Sequence, residues 1–245
     1  LRDTTDTLTN KTLTSPVINS PTGDFIKIQG TDFSNSLLIG HATTGTLDAA
    51  SYNVGVGIAT LDAITSGDHN TALGAGSATS LTTSSNNVII GSQSANALAG
   101  GNGQNVLIGK SAGYNNVSGA YNVFIGESSG ASTSGSTNNY NVGIGRRALQ
   151  NITTGEYNIA LGQSSGDNIT TGSGNVVIGK ADVSSATGDD QLSISDGEDG
   201  SVVWLTGDSS GNLTLPGNVT TSGNATITGN LTVNGTTTTL ATTNS

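Results

Sequence analysis

Charged residues make up only 10% of this 245-residue chain, so the groups able to do acid–base chemistry are few. Paired carboxylates could hydrolyse a polysaccharide, but only if they stand roughly 5 to 10 Å apart. Asp62 and Asp167 share an offset in the repeat described below, as do Asp68 and Glu156. Six repeats separate the first pair and five the second, roughly 24 to 29 Å at ~4.8 Å per strand, so neither pair can cooperate within one chain. A depolymerase would have to borrow carboxylates from an adjacent subunit. His41 and His69 have no Ser or Cys partner at a recognisable spacing and read as surface histidines. Asp189, Asp190, Asp196, Glu198, Asp199 and Asp208 cluster between residues 184 and 210 with the only tryptophan, Trp204. An EF-hand loop would need a Gly and a terminal Glu that are not in place, so a solvated acidic face is expected, with an ion site as the alternative. Trp204 reads as the anchor of a small β cap, with a sugar platform, and hence a receptor contact, as the second reading. No catalytic, metal-ligating or cofactor-binding residue is assigned, and no enzymatic activity is expected.

The rest of the composition narrows the classes further. There is no cysteine, which removes disulfides, thiolate chemistry and Cys-based zinc sites. A formal charge of −10 repels phosphate backbones, so nucleic acid is not an expected partner. No apolar run reaches 18 residues and no basic segment precedes an apolar one, so neither a membrane span nor a signal peptide is expected. Methionine is absent even at position 1, and an excerpt of a longer polypeptide is expected. The 36 glycines, with abundant Thr, Ser and Asn, suit strands and tight turns, because Thr favours the pleat and Gly and Asn tolerate positive φ.

What must position these residues is a repeat. The pattern Asn-Val-x-Ile-Gly occurs nine times, opening with a variant at Ser36 to Gly40. Its Asn and Gly positions are then Asn53 and Gly57, Asn70 and Gly74, Asn87 and Gly91, Asn105 and Gly109, Asn122 and Gly126, Asn141 and Gly145, Asn158 and Gly162, and Asn175 and Gly179. The glycines step by 17, 17, 17, 18, 17, 19, 17 and 17 residues, which predicts one solenoid coil per repeat. Branched aliphatics one and three places after the Asn predict burial with period two along a short strand. The mixed column between them, from Gly55 to Phe124, is expected to face a second layer or a neighbouring subunit. Small residues such as Ser111 and Ala112 suit a second strand or a corner. The Asn has two readings, a stacked amide ladder at a turn or a ring of three amides about a trimer axis. So short a coil encloses a thin core, which predicts a homotrimer of two further identical chains.

Four regions are expected: an extended connector over 1–30, a nine-coil parallel β-solenoid or β-roll over 31–183, an acidic β-rich junction over 184–210, and a hexad-repeat trimeric β shaft over 211–245. The hexads begin at Gly211, Gly217, Gly223, Gly229 and Gly235, each predicted as a strand plus a turn. Their Asn-x-Thr triplets at Asn212, Asn218, Asn224 and Asn230 match a glycosylation acceptor but recur because the hexad recurs. The fold class is therefore all-β throughout.

The stretch Leu8 to Pro16, the Asn-Thr-Ala-Leu-Gly type repeats, and the run Asn230 to Thr239 resemble bacteriophage tail-fibre sequences. The Asn-Val-x-Ile-Gly unit is also similar to the head repeat of trimeric autotransporter adhesins, a left-handed parallel β-roll in a trimer. The resemblance implies a structural subunit of a virion tail fibre, outside the cell, that forms a rigid trimeric shaft and contributes to host attachment. Its partners would be other virion tail proteins and a host-surface glycan or protein receptor. A bacterial surface adhesin is the alternative, and a depolymerase spike a third reading.

Overall fold

The computed structural model describes residues 26–30, 33–40, 47–133, 135–230 and 232–234. Most of the connector expected over 1–30 lies outside the described residues, as does His41. Among the described residues all regular structure is β, and each repeat contributes one short strand.

Strands β1 (Ile26–Gly30), β2 (Phe33–Ile39) and β3 (Ala50–Ser51) open the fold. One strand per coil follows: β4 (Val54–Val56), β5 (Thr71–Leu73), β6 (Val88–Ile90), β7 (Val106–Ile108), β8 (Val123–Ile125), β9 (Val142–Ile144), β10 (Ile159–Leu161) and β11 (Val176–Ile178). Strands β12 (Leu192–Ser195), β13 (Val203–Gly207) and β14 (Leu213–Thr214) close it. From β2 through β4 to β12 the strands pair in parallel, each residue opposite its counterpart one repeat away, as Val106 is opposite Val123 and Leu107 opposite Phe124. This is a parallel β-solenoid of about nine turns. Both ends of the parallel stack pass into antiparallel pairs, β1 with β2 and β12 with β13.

The structure corrects the direction of burial. The middle residue of each strand points inward, and Leu38, Ala72, Ile89, Leu107, Phe124, Ala160 and Val177 are buried. The flanking aliphatics expected inside point outward instead, Val54 and Leu73 among the exposed ones. The opposite wall decides this. It supplies Leu61, Ile64, Leu81, Leu98, Leu149, Ile152 and Ile169, which leave room for one side chain per strand. A mixed column of Gly, Ala, Leu and Phe can fit that varying wall, whereas two uniform columns of Val and Ile could not. The opposite wall is also not a second strand. It is a ribbon of turns joined from coil to coil, as where Leu61 N donates to Ser77 O and Ala63 N to Thr79 O.

The glycine ending each strand has a packing reason. At Gly74 φ is +133°, and a Cβ there would stand 2.6 Å from the Gly91 carbonyl of the next coil. A side chain would therefore meet both backbone strain and a steric block.

Past β13 the fold thins out. Residues 208–230 and 232–234 are all exposed, and β14 is the only strand in that stretch among the described residues. Among the described residues no strand forms in the hexads beginning at Gly217 and Gly223, because a six-residue unit has no second layer of its own to pack on, and the hexad beginning at Gly235 lies outside the described residues.

Candidate functional site

The asparagines opening the strands form a continuous ladder inside each chain. Each side-chain amide donates to the Oδ1 of the Asn one coil earlier, over 2.8–3.2 Å from Asn70 on Asn53 to Asn175 on Asn158. The same Oδ1 accepts the backbone N–H of the next Asn, as Asn53 Oδ1 does from Asn70 at 3.0 Å. The second amide hydrogen of Asn105 goes to the Gly119 carbonyl, and that of Asn158 to Gly172. Both donors and the carbonyl oxygen of these buried amides are thus paired, which is what allows the Asn to be buried. Of the two readings of the Asn, the intrachain ladder is the one present.

The ladder runs one rung beyond the nine copies. Gln191 Nε2 donates to Asn175 Oδ1 at 3.1 Å, and β12 adds Leu192, Ser193 and Ile194 to the parallel register. The run Gln191 to Ser195 is a degenerate tenth copy, with Gln for Asn and Ser for Gly. Its alternation of apolar and small residues, 16 residues after Gly179, was the available signal.

Two residues before each Asn a second column serves the backbone. Asp68 Oδ1 accepts from Ser51 N at 2.7 Å, Asn139 Oδ1 from Ala120 N at 2.9 Å, and Asp189 Oδ1 from Ser173 N at 2.8 Å. Glu156, in the same column, accepts from Asn139 Nδ2 at 2.7 Å. Asp68 and Glu156 are therefore structural acceptors, five coils apart. Lys110, Glu127 and Arg146 follow one another on a single face, their carbonyls accepting from Ser128, Arg147 and Ser164 of the next coil.

The residue just before each Asn forms a column that sequence reasoning did not single out. Tyr52, His69, Asn86, Gln104, Tyr121, Tyr140 and Tyr157 all have φ between 57° and 62°. The rings among them stack in two groups. Tyr52 lies on His69 with centroids 4.7 Å apart, Tyr121 on Tyr140 at 4.8 Å, and Tyr140 on Tyr157 at 4.9 Å. Gln104 Nε2 donates to the Tyr121 hydroxyl at 3.1 Å. Desolvation by its two neighbours, then their own phenols and Glu156, push the Tyr140 phenol above its ordinary value. The signal was a run of planar residue types at one offset.

The acidic segment folds around Asp196 in the turn between β12 and β13. Its carboxylate accepts the backbone N–H of Glu198, Asp199, Gly200 and Val202, which lowers its pKa to about 2. Hydrogen bonds from the side chain and then the backbone of Ser201 lower Asp199, and those of Asn212 lower Asp208, while burial raises Asp182. No group of three or more His, Cys, Asp or Glu among the described residues could hold a metal ion. No helix among them is long and apolar enough to cross a membrane.

Trp204 falls where the register of β13 on β12 slips, between the Ile194–Leu205 and Ser195–Val203 pairs. It is 57% exposed and lines a shallow hollow of about 300 Å³ with Val202, Val203, Leu215, Gly217 and Asn218.

The most extensive surface feature is apolar. The residues flanking the buried middle position make two parallel outward columns along the whole stack, one from Leu37 to Leu192 and one from Ile39 to Ile194. Leu73 is 46% exposed, and Val54, Val88, Ile144, Ile159, Leu161 and Ile178 are exposed too. The chain matches no protein-family model, no curated protein and no solved structure.

Proposed function

We propose that this chain is one subunit of a homotrimeric fibre shaft, a structural segment of a bacteriophage tail fibre that contributes to host attachment. The observation that carries the reading is the outward apolar strip. With roughly 50 Å² left in water by each aliphatic side chain, its two columns present on the order of 1,000 Å², well above the few hundred that monomers leave bare. Two columns side by side suit a threefold axis, where each column of one chain meets a different neighbour. A closed ring of three also leaves no strip unpaired, as closed symmetry requires.

The C-terminal hexads support the same reading. Leu213, Leu215, Val219, Ile227 and Val233 are exposed in the single chain, and three intertwined chains would cover them. The motifs that resemble tail fibres flank the solenoid on both sides and give the biological setting: a virion appendage whose partners are two identical chains, other tail proteins and a host-surface receptor. The stacked amides and fixed register make a stiff spacer, since every coil repeats the same interface with its neighbours.

Antibodies raised against residues 53–179 test this directly. They are expected to decorate the tail fibres of the producing phage in electron micrographs and to slow adsorption. Decoration of a bacterial envelope in place of virions would move the assignment to a surface adhesin.

A further inference from the structure

The tyrosine column ends with one ring face bare. Tyr121, Tyr140 and Tyr157 stack with their planes within 5° of one another, so both faces of Tyr140 and one face of Tyr157 are covered. The next rung of that column is Gly174, which has no side chain, and the rung after it is Asp190. The far face of Tyr157 therefore looks into a slot, a rung with no side chain of its own, bounded near the backbone by the Asp190 carboxylate about one strand spacing (~5 Å) away. The Asp190 carboxylate overhangs this slot, for its Oδ1 occupies the place where a Cβ on Gly174 would stand. Tyr157 is 58% exposed, the most of the stacked tyrosines. Elsewhere the column carries a planar side chain on every rung from Asn35, one rung before Tyr52, to Tyr157, so no other tyrosine in it faces an empty rung.

We propose that this slot is a carbohydrate subsite for a neutral pyranose, its C–H face stacked on Tyr157 and its hydroxyls donating to the Asp190 carboxylate. A single open ring face beside an acceptor is what a sugar ring uses: the ring face takes the apolar side of the sugar, and a carboxylate, which only accepts, takes its hydroxyl protons. An ammonium ligand is better held by several ring faces surrounding it, and here only one is open. Glu156 and Asp189 on the rim, with the chain's net charge of −10, disfavour sugars that carry a carboxylate. The subsite is a property of the single coil stack and does not rest on the fibre assignment.

The test is saturation-transfer NMR on the protein as it assembles, with methyl glycosides of glucose, galactose and N-acetylglucosamine, and arginine amide as a cationic probe. At least one glycoside is expected to receive saturation. Removing the platform in Tyr157→Ala, or the acceptor in Asp190→Ala, should weaken its binding by roughly tenfold. Gly174→Tyr adds the missing rung, covers the platform and displaces the Asp190 carboxylate without deleting any aromatic, and should abolish binding. Tyr52→Ala, eight rungs from Asp190, should leave it unchanged. No transfer to any glycoside, transfer that survives Tyr157→Ala or Gly174→Tyr, or binding of arginine amide alone would overturn the proposal.

Discussion

The ring of Phe124 lies against the α-carbon of Gly130, so closely that a Cβ at position 130 would overlap Cδ2 and Cε2 of the ring. The pair exemplifies a size rule across the core. Where the strand contributes a large residue the opposite wall contributes a small one, as with Leu107 and Gly113, whose Cβ would stand 3.1 Å from Leu107 Cδ1. Where the strand has Gly55 the wall supplies Leu61, 3.2 Å from where a Gly55 Cβ would be.

Gly130→Ala is therefore expected to destabilise the fold by about 1–3 kcal/mol through overpacking. Adding Phe124→Leu should recover part of that loss. The remainder is the strain of a non-glycine residue at φ +59°. Denaturant titration of the two single variants and the double variant reads the coupling, and additive losses would contradict the contact.

Asn105→Ala tests the amide ladder. It removes the acceptor of the Asn122 backbone N–H and side-chain amide, and the donor to the Gly119 carbonyl. At about 1–3 kcal/mol for a buried group left unpaired, the loss should far exceed that of the surface variant Lys110→Ala, expected within about 0.5 kcal/mol of wild type. Equal thermal stability of the two variants would refute a structural role for the ladder.

The repeat, its coil length and the identity of the ladder residues were legible because Asn and Gly recur at a fixed step, from Asn53 to Gly179. The direction of each strand was not. Val54 and Val56 alternate with Gly55 as a buried pair would, and only the opposite wall, built from Leu61 and Ile64 in turns that lack the period-two alternation of a strand, shows that the inner position is 55. The tenth rung escaped because both marker residues changed, to Gln191 and Ser195. The tyrosine column escaped because its members are alike in shape and φ but not in residue type.

Removal of residues 141–157 takes out one coil and joins Tyr140 to Asn158, the same Tyr-Asn link found at both original junctions. Ala160 then lies over Phe124 where Gly143 lay. The shaft should shorten by ~4.8 Å and stay folded. Removing eight residues from the same place should break the register and lower the melting temperature far more. Equal melting of the two deletions would contradict a solenoid turn per repeat.

Acid should open the β12–β13 hairpin. Asp196 has a folded pKa of about 2, below the ordinary carboxylate value near 3.9, so its contribution is present in full above that ordinary value and is lost as pH falls through about 2. Asp199 and Asp208 act in the same direction, and Asp182, raised by burial, acts in the opposite one. The fluorescence of Trp204, the only tryptophan, should report a transition between pH 4 and pH 2. Asp196→Ala should weaken the hairpin at neutral pH and flatten that transition, whereas an unchanged acid profile would remove Asp196 as its cause.

Sedimentation equilibrium of the purified chain tests the central claim most directly, because the outward strip of Val and Ile is explained only if other copies cover it. The account predicts a mass of three chains over the whole concentration range, and dissociation with loss of structure in the paired variant Val123→Lys, Ile125→Lys, which places charge on the strip without touching the core. A folded, monodisperse monomer that keeps its strip in water would contradict it.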